Sequence, residues 1–269
     1  MFSYAVFAVL VLFALAPQAV SGHDPGAQDL MHRVQPPAWV EDGDLEHPLG
    51  TDHLGRDSWS RIVHGTRVSL SIAAGAVFVA GVIGTAAGLA AGFFGRLVDD
   101  VLMRLADIQL SFSPILLIIA IMAVIGQSAF NVILVLGVVS WVEYARVVRG
   151  ETLAIREKEY VEAARAAGSS RVRIIRWHVL RNIVPTLSVI AAVTASQMII
   201  NEAALSFLGL GVPPPTPTWG SMLSEAQDYF QVAWWNAVFP GVAILLAALS
   251  INVISDDLAG RFGRRSGVG

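Results

Sequence analysis

Residues 158–185 read KEYVEAARAAGSSRVRIIRWHVLRNIVP, a polar stretch between long apolar runs. Ala, Glu, Arg and Lys dominate its first part, and together with the preceding residues from Thr152 they favour one continuous helix. Gly168 predicts the end of that helix, because glycine readily takes the left-handed conformation found just past helix ends. Ser169 or Ser170 is expected to cap a second helix, which runs on into an apolar segment. The stretch therefore predicts a helix, a tight turn and a second helix.

Three interpretations of this polar stretch are open from its residues alone. A charged amphipathic helix pair between two spans could lie on the lipid surface. The pattern AARAAGSSRVRIIRW also fits a DNA-binding helix-turn-helix, although the flanking apolar segments leave no room for a folded domain of that kind, so we expect no nucleic-acid partner. The third interpretation is a docking segment for a partner protein.

The composition indicates an all-α, polytopic membrane protein. Of the 269 residues, 55% are hydrophobic and 14% are charged, whereas soluble domains carry about a quarter charged residues. The chain has no cysteine, which excludes disulfides and thiolate chemistry. Its single lysine, Lys158, is not in a phosphate-binding loop, so any ATP and Mg²⁺ must be bound by another chain and we expect no cofactor here.

The apolar runs predict six transmembrane helices. Residues 1–20 would form the first helix, 21–66 an extracytoplasmic loop, 67–257 a five-helix core that includes a cytoplasmic loop at 150–184, and 258–269 a cytoplasmic tail. The first run is at the short limit for a span of about twenty residues. A signal peptide is the alternative, but the positively charged start of such a peptide is missing.

The predicted 21–66 loop is rich in histidine. It contains His23, His32, His47, His53 and His64. Their spacings match no standard ligand pattern, and scattered loop histidines are usually solvated, so the sequence predicts no metal site.

Small residues and proline predict two features of the helices. Gly84, Gly88 and Gly92 recur every four residues and would form a smooth face against which another helix packs closely. Pro114 is expected to kink or break its helix near Ser111 and Ser113.

Polar residues within the apolar runs suggest a water-filled path. A charged side chain in the bilayer centre costs about 2.5–3.5 kcal/mol, so Glu202 should face water or protein, or reach the headgroups from the helix end. Glu143 is expected to pair with Arg146 or Arg149 near the membrane surface. We predict that the path is lined by Ser111, Ser113, Gln197, Asn201 and Glu202.

The basic residues predict the orientation. In a six-span arrangement, fourteen of the 18 Lys and Arg residues fall on the side of the polar stretch, and Arg33, Arg56, Arg61 and Arg67 fall on the other. The positive-inside rule therefore places the polar stretch and both termini in the cytoplasm.

Three stretches resemble the permease subunits of ATP-binding-cassette importers of the dipeptide, oligopeptide and nickel group. EAARAAG at 162–168 is similar to the cytoplasmic Glu-Ala-Ala loop of such permeases in general. HPLGTDHLGRDSWSRIVHGTRVSL at 47–70 and EAALSFLGLGVPPPTPTWGSML at 202–223 resemble segments specific to the peptide and nickel group.

The resemblance implies a type I importer permease of the bacterial inner membrane, without catalytic residues of its own. It implies that Glu162, Ala163, Ala164 and Gly168 form a coupling helix that docks on an ATPase subunit. The implied partners are a homologous second permease, two ATPase subunits and an extracytoplasmic substrate-binding protein. Di- or oligopeptides are the expected substrates. Nickel or another small solute is an alternative, as is an ion-coupled secondary transporter that would use Glu202 and Glu143.

Overall fold

The protein is almost entirely helical. The computed structural model describes residues 2–266, and within that range the structure outside helices consists of loops and one isolated bridge between Thr51 and Asp57. The helices are α1 Phe2–Leu15, α2 Pro17–Ser21, α3 Ser58–Phe94, α4 Arg96–Leu110, α5 Pro114–Ile125, α6 Ala129–Val139, α7 Trp141–Arg156, α8 Glu159–Ala166, α9 Arg171–Ile174, α10 Arg181–Phe207, α11 Trp219–Ala226 and α12 Trp235–Ser266. A π-helical segment, Ile175–Leu180, joins α9 to α10, and short 3-10 turns cover Leu30–His32 and Gln227–Tyr229. The predicted all-α class is confirmed.

Four helical stretches of the described residues are long and apolar enough to cross a membrane: Ser58–Phe94, Ala129–Arg156, Arg171–Phe207 and Trp235–Gly260. A fifth span is possible if the pair α4 and α5, bent by 89°, crosses as one broken helix. Helix α1 has 14 residues, fewer than the roughly twenty that a span needs. Membrane spans are thus confirmed, while the count of six stays a prediction.

Pro114 separates α4 from α5, as the sequence predicts. Helix α4 ends at Leu110, and Pro114 occupies the first turn of α5, where its missing N–H costs no hydrogen bond. The 89° bend therefore falls at Ser111–Ser113, as the sequence predicts.

Gly84, Gly88 and Gly92, which we call the glycine seam, lie where α3 packs against α7. A Cβ atom at Gly84 would lie 2.4 Å from the carbonyl oxygen of Trp141, and one at Gly88 would lie 2.6 Å from that of Ala145. At Gly92 a Cβ would approach Thr152 Cβ to 2.6 Å. The close helix contact expected from the glycine spacing is confirmed.

One end of the helix bundle carries a layer that we call the cap, residues 22–57 and 208–234. Helix α3 starts inside the segment predicted as the 21–66 loop, because the Asp57 side chain accepts the Ser60 N–H at 2.7 Å and caps the helix at Ser58. Trp235, at the start of α12, donates its Nε1–H to the Thr51 carbonyl at 3.0 Å. Both α3 and α12 therefore begin at the cap.

Both ends of the described chain lie together. Tyr4 of α1 donates its hydroxyl to Asp257 of α12 at 2.6 Å, so α1 begins beside the part of α12 that is far from the cap. Helix α12 continues through much of the predicted 258–269 tail to Ser266. Residues 267–269, and the side chains of Arg261, Arg264 and Arg265, lie outside the described part.

Candidate functional site

The polar stretch forms a separate projection that we call the knob, residues 157–170. The prediction of one continuous helix from Thr152 is wrong at this point, since α7 ends at Arg156 and α8 begins at Glu159. Lys158 between them is extended. The break turns α8 so that Val161 is fully buried, in a cluster with Val148, Ile155, Ile174, Val179 and Ile183. Tertiary burial of one valine thus overrides the local preference for a continuous helix.

The turn after α8 follows the sequence prediction. Gly168 has φ +79°, and its N–H donates to the Arg165 carbonyl at 3.0 Å. The Ser169 N–H donates to the Ala164 carbonyl at 3.0 Å, which closes the end of the helix. Ser170 then caps α9 by accepting the Arg173 N–H.

The four residues predicted to couple to an ATPase lie on the surface of the knob. Glu162, Ala163 and Gly168 are exposed, and Ala164 is half-buried. A Cβ at Gly168 would meet nothing within 4 Å. The exposed surface of these residues therefore consists of the small side chains of Ala163 and Ala164, the carboxylate of Glu162 and the turn at Gly168.

The far end of α3 supports the knob. Arg156 donates from a guanidinium nitrogen to the Gly92 carbonyl at 2.8 Å. The Arg165 guanidinium lies 5.8 Å from the centroid of the Phe93 ring, within range of a cation–π interaction. The knob is thus attached to the same helix that begins at the cap.

A second candidate site is a cavity of about 270 Å³ between α5, the α6–α7 junction and α10. It brings together three of the predicted path residues, Ser113, Gln197 and Asn201. Gln109 and Glu143 add an amide and a carboxylate to its lining. Ser111 is exposed at the bend but is not part of this lining.

Glu202, the fifth predicted path residue, lies elsewhere. Its side chain is fully buried and accepts hydrogen bonds from Ser69 Oγ at 3.0 Å and from Ser206 Oγ at 2.7 Å. Ser69 belongs to α3, so the carboxyl group joins α3 to α10 inside the protein. Of the three environments expected for this residue, which were water, protein and the headgroups, the structure shows the protein interior.

The expected pairing of Glu143 is wrong. Arg146 donates to Asp107 at 2.6 Å, and Arg149 makes a bidentate ion pair with Asp99. Both aspartates belong to α4, and a pairing between helices leaves no signal in local spacing. The basic neighbours of Glu143 are therefore engaged by another helix, while Glu143 itself lines the cavity.

A largely buried ionic network ties the cap to α3, and the sequence did not predict it. Arg56 and Arg61 both donate to Asp52 and to Glu225, with Arg56 to Asp52 at 2.6 Å and Arg61 to Glu225 at 2.8 Å. The Asp52 and Arg61 side chains are 6% and 4% exposed. Arg56 and Glu225 are separated by 169 positions along the chain, so local spacing gives no sign of their pairing, although the density of charge in GTDHLGRDSWSR was a signal.

The arginines keep both carboxyl groups of this network ionised. Burial raises the pKa of Asp52, but Arg61, Arg56 and two backbone N–H groups more than offset it and hold that pKa below its ordinary value. Burial likewise raises the pKa of Glu225, and the hydrogen bond and charge of Arg61, with the charge of Arg56, bring it below its ordinary value.

Comparisons with known proteins concern the fold and the family of the chain. A family model described as "Binding-protein-dependent transport system inner membrane component" matches residues 84–268. The di/tripeptide transport system permease protein DppC of Pseudomonas aeruginosa is 41% identical over 94% of this chain and 84% of its own length. The nickel transport system permease protein NikC of Escherichia coli K12 is 36% identical over 94% of this chain and 89% of its own.

A solved structure supports the fold. A chain of the MetNI methionine ABC transporter, in inward-facing conformations, aligns with a TM-score of 0.54 over 73% of this chain and 95% of that one, at 20% identity. Together with the family match over most of the sequence, the helical architecture leads to one conclusion: the chain belongs to the family of binding-protein-dependent transport system inner membrane components, the permease components of ABC importers.

Proposed function

We propose that this permease forms half of a translocation path for di- or oligopeptides and receives force from an ATPase through the knob. The observation that carries the proposal is that Glu162, Ala163 and Gly168 are exposed, while Val161 of the same segment is buried and anchors it to the protein. Small side chains allow the backbone of α8 to approach a groove on another protein closely, and Glu162 offers a carboxylate to it. ATP and Mg²⁺ would be bound by two partner ATPase subunits.

Peptides are the favoured substrates because relatives with peptide names match over most of the chain, DppC of P. aeruginosa among them. Nickel or another small solute is the alternative, supported by the 36% identity to NikC. A soluble binding protein that selects the substrate would dock at the cap.

We assign the cavity that holds Ser113, Gln197 and Asn201 to the path. Its lining mixes amide, hydroxyl and carboxylate groups with apolar side chains, which suits a peptide backbone with variable side chains. A homologous second permease would close the open side, and Ser111 at the helix bend would lie near its entrance. Glu202 stabilises the wall behind this path through Ser69 and Ser206.

The positive-inside rule supports an orientation with the knob and both termini in the cytoplasm of the bacterial cell and the cap outside. An ion-coupled secondary transporter would have to use Glu143 or Glu202 as its coupling carboxylate. The knob, a surface that such a carrier does not need, argues against that mechanism.

The experiment is a pair of double variants in the reconstituted importer. Glu162→Ala with Gly168→Pro removes the carboxylate and forbids the φ of +79° at the turn. The matched control, Glu159→Ala with Gly150→Ala, changes an exposed glutamate of the same helix and a helical glycine with open space around it.

We expect the first variant to lose ATP-driven uptake by at least tenfold while the control keeps it. Helical content by circular dichroism should be the same in both. Uptake that stays coupled to ATP hydrolysis in the first variant would exclude the knob as the coupling element. Uptake by this chain without any ATPase would favour the secondary transporter.

A further inference from the structure

Three side chains of the cap converge although they are far apart in sequence. One nitrogen each from His23 and His47 and one oxygen from Asp57 lie within 4.8 Å of one another. The His47 Nδ1 atom is 3.1 Å from Asp57 Oδ1, and the centroids of the two histidine rings are 5.4 Å apart. His23 follows α2, His47 lies in the middle of the loop, and Asp57 caps α3.

Backbone contacts to the first turn of α3 hold this cluster. Ser60 donates its hydroxyl to the His23 carbonyl at 2.5 Å, and its N–H donates to Asp57 Oδ2 at 2.7 Å. This second bond leaves Asp57 Oδ1 on the side of the histidines. The Ser58 N–H also donates to the Gly50 carbonyl, three residues beyond His47. The ligating atoms are therefore brought together by a folded loop and a helix start, as a preformed site requires.

We propose that His23, His47 and Asp57 form a binding site for a first-row divalent transition-metal ion such as Zn²⁺. Two imidazoles and a carboxylate, without thiolate, suit Zn²⁺, Ni²⁺ or Cu²⁺ and disfavour the all-oxygen ions Mg²⁺ and Ca²⁺. Three protein ligands leave at least one coordination position for water or another molecule. The ion would fasten the loop before α3 to the start of that helix. This site goes beyond the proposed transport function and does not depend on which solute is carried.

A neighbouring group, Asp52, His53 and Glu225, also has ligand atoms within 4.8 Å of one another. Its two carboxylates already accept hydrogen bonds from Arg56 and Arg61, whose positive charges oppose a cation. This second group therefore provides a control rather than a rival site.

The test measures Zn²⁺ binding to the full-length chain, purified in detergent through a tag that contains no histidine. We expect one Zn²⁺ per chain in equilibrium dialysis, and a loss of affinity of at least a hundredfold in His23→Ala and in His47→Ala. Loss of an outer hydrogen-bonding partner already costs about 10–100-fold in metal sites, and these are direct ligands. His53→Ala is the matched control and should bind Zn²⁺ as the unmodified chain does.

Cu²⁺ supplies a second readout that a folding defect would not imitate. Electron paramagnetic resonance should show two coordinated nitrogens in the unmodified chain and one in His23→Ala, whose exposed side chain can be removed without creating a cavity. The proposal is overturned if the unmodified chain binds no stoichiometric Zn²⁺. It is equally overturned if both histidine variants keep their affinity, or if His53→Ala loses it.

Discussion

Four charged residues, three in the cap and Arg61 in α3, depend on one another. Arg56 and Arg61 face Asp52, which is buried with them, and Glu225, whose side chain is 27% exposed. Removing one partner of a buried ion pair typically costs about 3–5 kcal/mol, because the other charge stays buried without compensation. The network therefore specifies how α11 sits on α3.

Acid should open the cap before the helix bundle unfolds. The folded-state pKa values of Asp52 and Glu225 are depressed, so their contribution to stability is complete above the unfolded values of about 4 and is lost as the pH falls through the lower folded values. We expect hydrogen-exchange protection of the Leu54 and Arg56 amides, which donate to Asp52, to fall below about pH 4.

Amides in the middle of α3, around Ala80, serve as the internal control and should keep their protection factors at the same pH. If cap and bundle lose protection together, the network does not govern a local opening.

At the scale of the helices, the glycine seam sets how closely α3 and α7 approach. The Cβ positions at Gly84, Gly88 and Gly92 are occupied by backbone or β-carbon atoms of α7, which cannot move aside like the end of a flexible side chain. Adding even one methyl group there must push the helices apart.

Gly88→Ala should therefore destabilise the protein by about 1–3 kcal/mol, the range for an overpacked contact. Gly81→Ala on the same helix is the control, because its Cβ would meet Tyr144 at an ordinary distance of 3.6 Å. The measurement is the thermal unfolding of both variants in detergent. Equal stability of the two would show that the seam can relax.

Local chemistry predicted several elements of the fold. The Gly168 turn, the Ser170 cap, the bend before Pro114 and the glycine seam each follow from the residue types concerned. The break at Lys158 and the pairing of Arg149 with Asp99 do not, because they depend on contacts between distant segments. The path candidates divide in the same way. Ser113, Gln197 and Asn201 meet in one cavity, whereas Ser111 and Glu202 are not part of its lining.

For the whole molecule, the contact between Tyr4 and Asp257 places the start of α1 and the last part of α12 at one end of the bundle, and the cap lies at the other. Which end faces the cytoplasm can be measured directly because the chain contains no cysteine. Glu41→Cys in the cap and Glu159→Cys in the knob both replace exposed side chains.

A membrane-impermeant maleimide added to intact spheroplasts should label Glu41→Cys, and should label Glu159→Cys only after the membrane is permeabilised. The unmodified chain, which has no thiol, gives the background. The reverse labelling pattern would invert the orientation.

Helix α3 has a mechanical consequence. It runs without a break for 37 residues, about 55 Å, which exceeds the hydrocarbon thickness of a bilayer of about 30 Å. Asp57 of the cap precedes its first turn, which carries Arg61. Its last turn carries Gly92, which binds Arg156 just before the knob, and Phe93, which lies under Arg165 of the knob. A tilt of about 2° around its midpoint would shift each end by about 1 Å in opposite directions, as follows from that length. Because α3 is one unbroken helix, a displacement of its end at the cap also displaces its end at the knob, and the reverse.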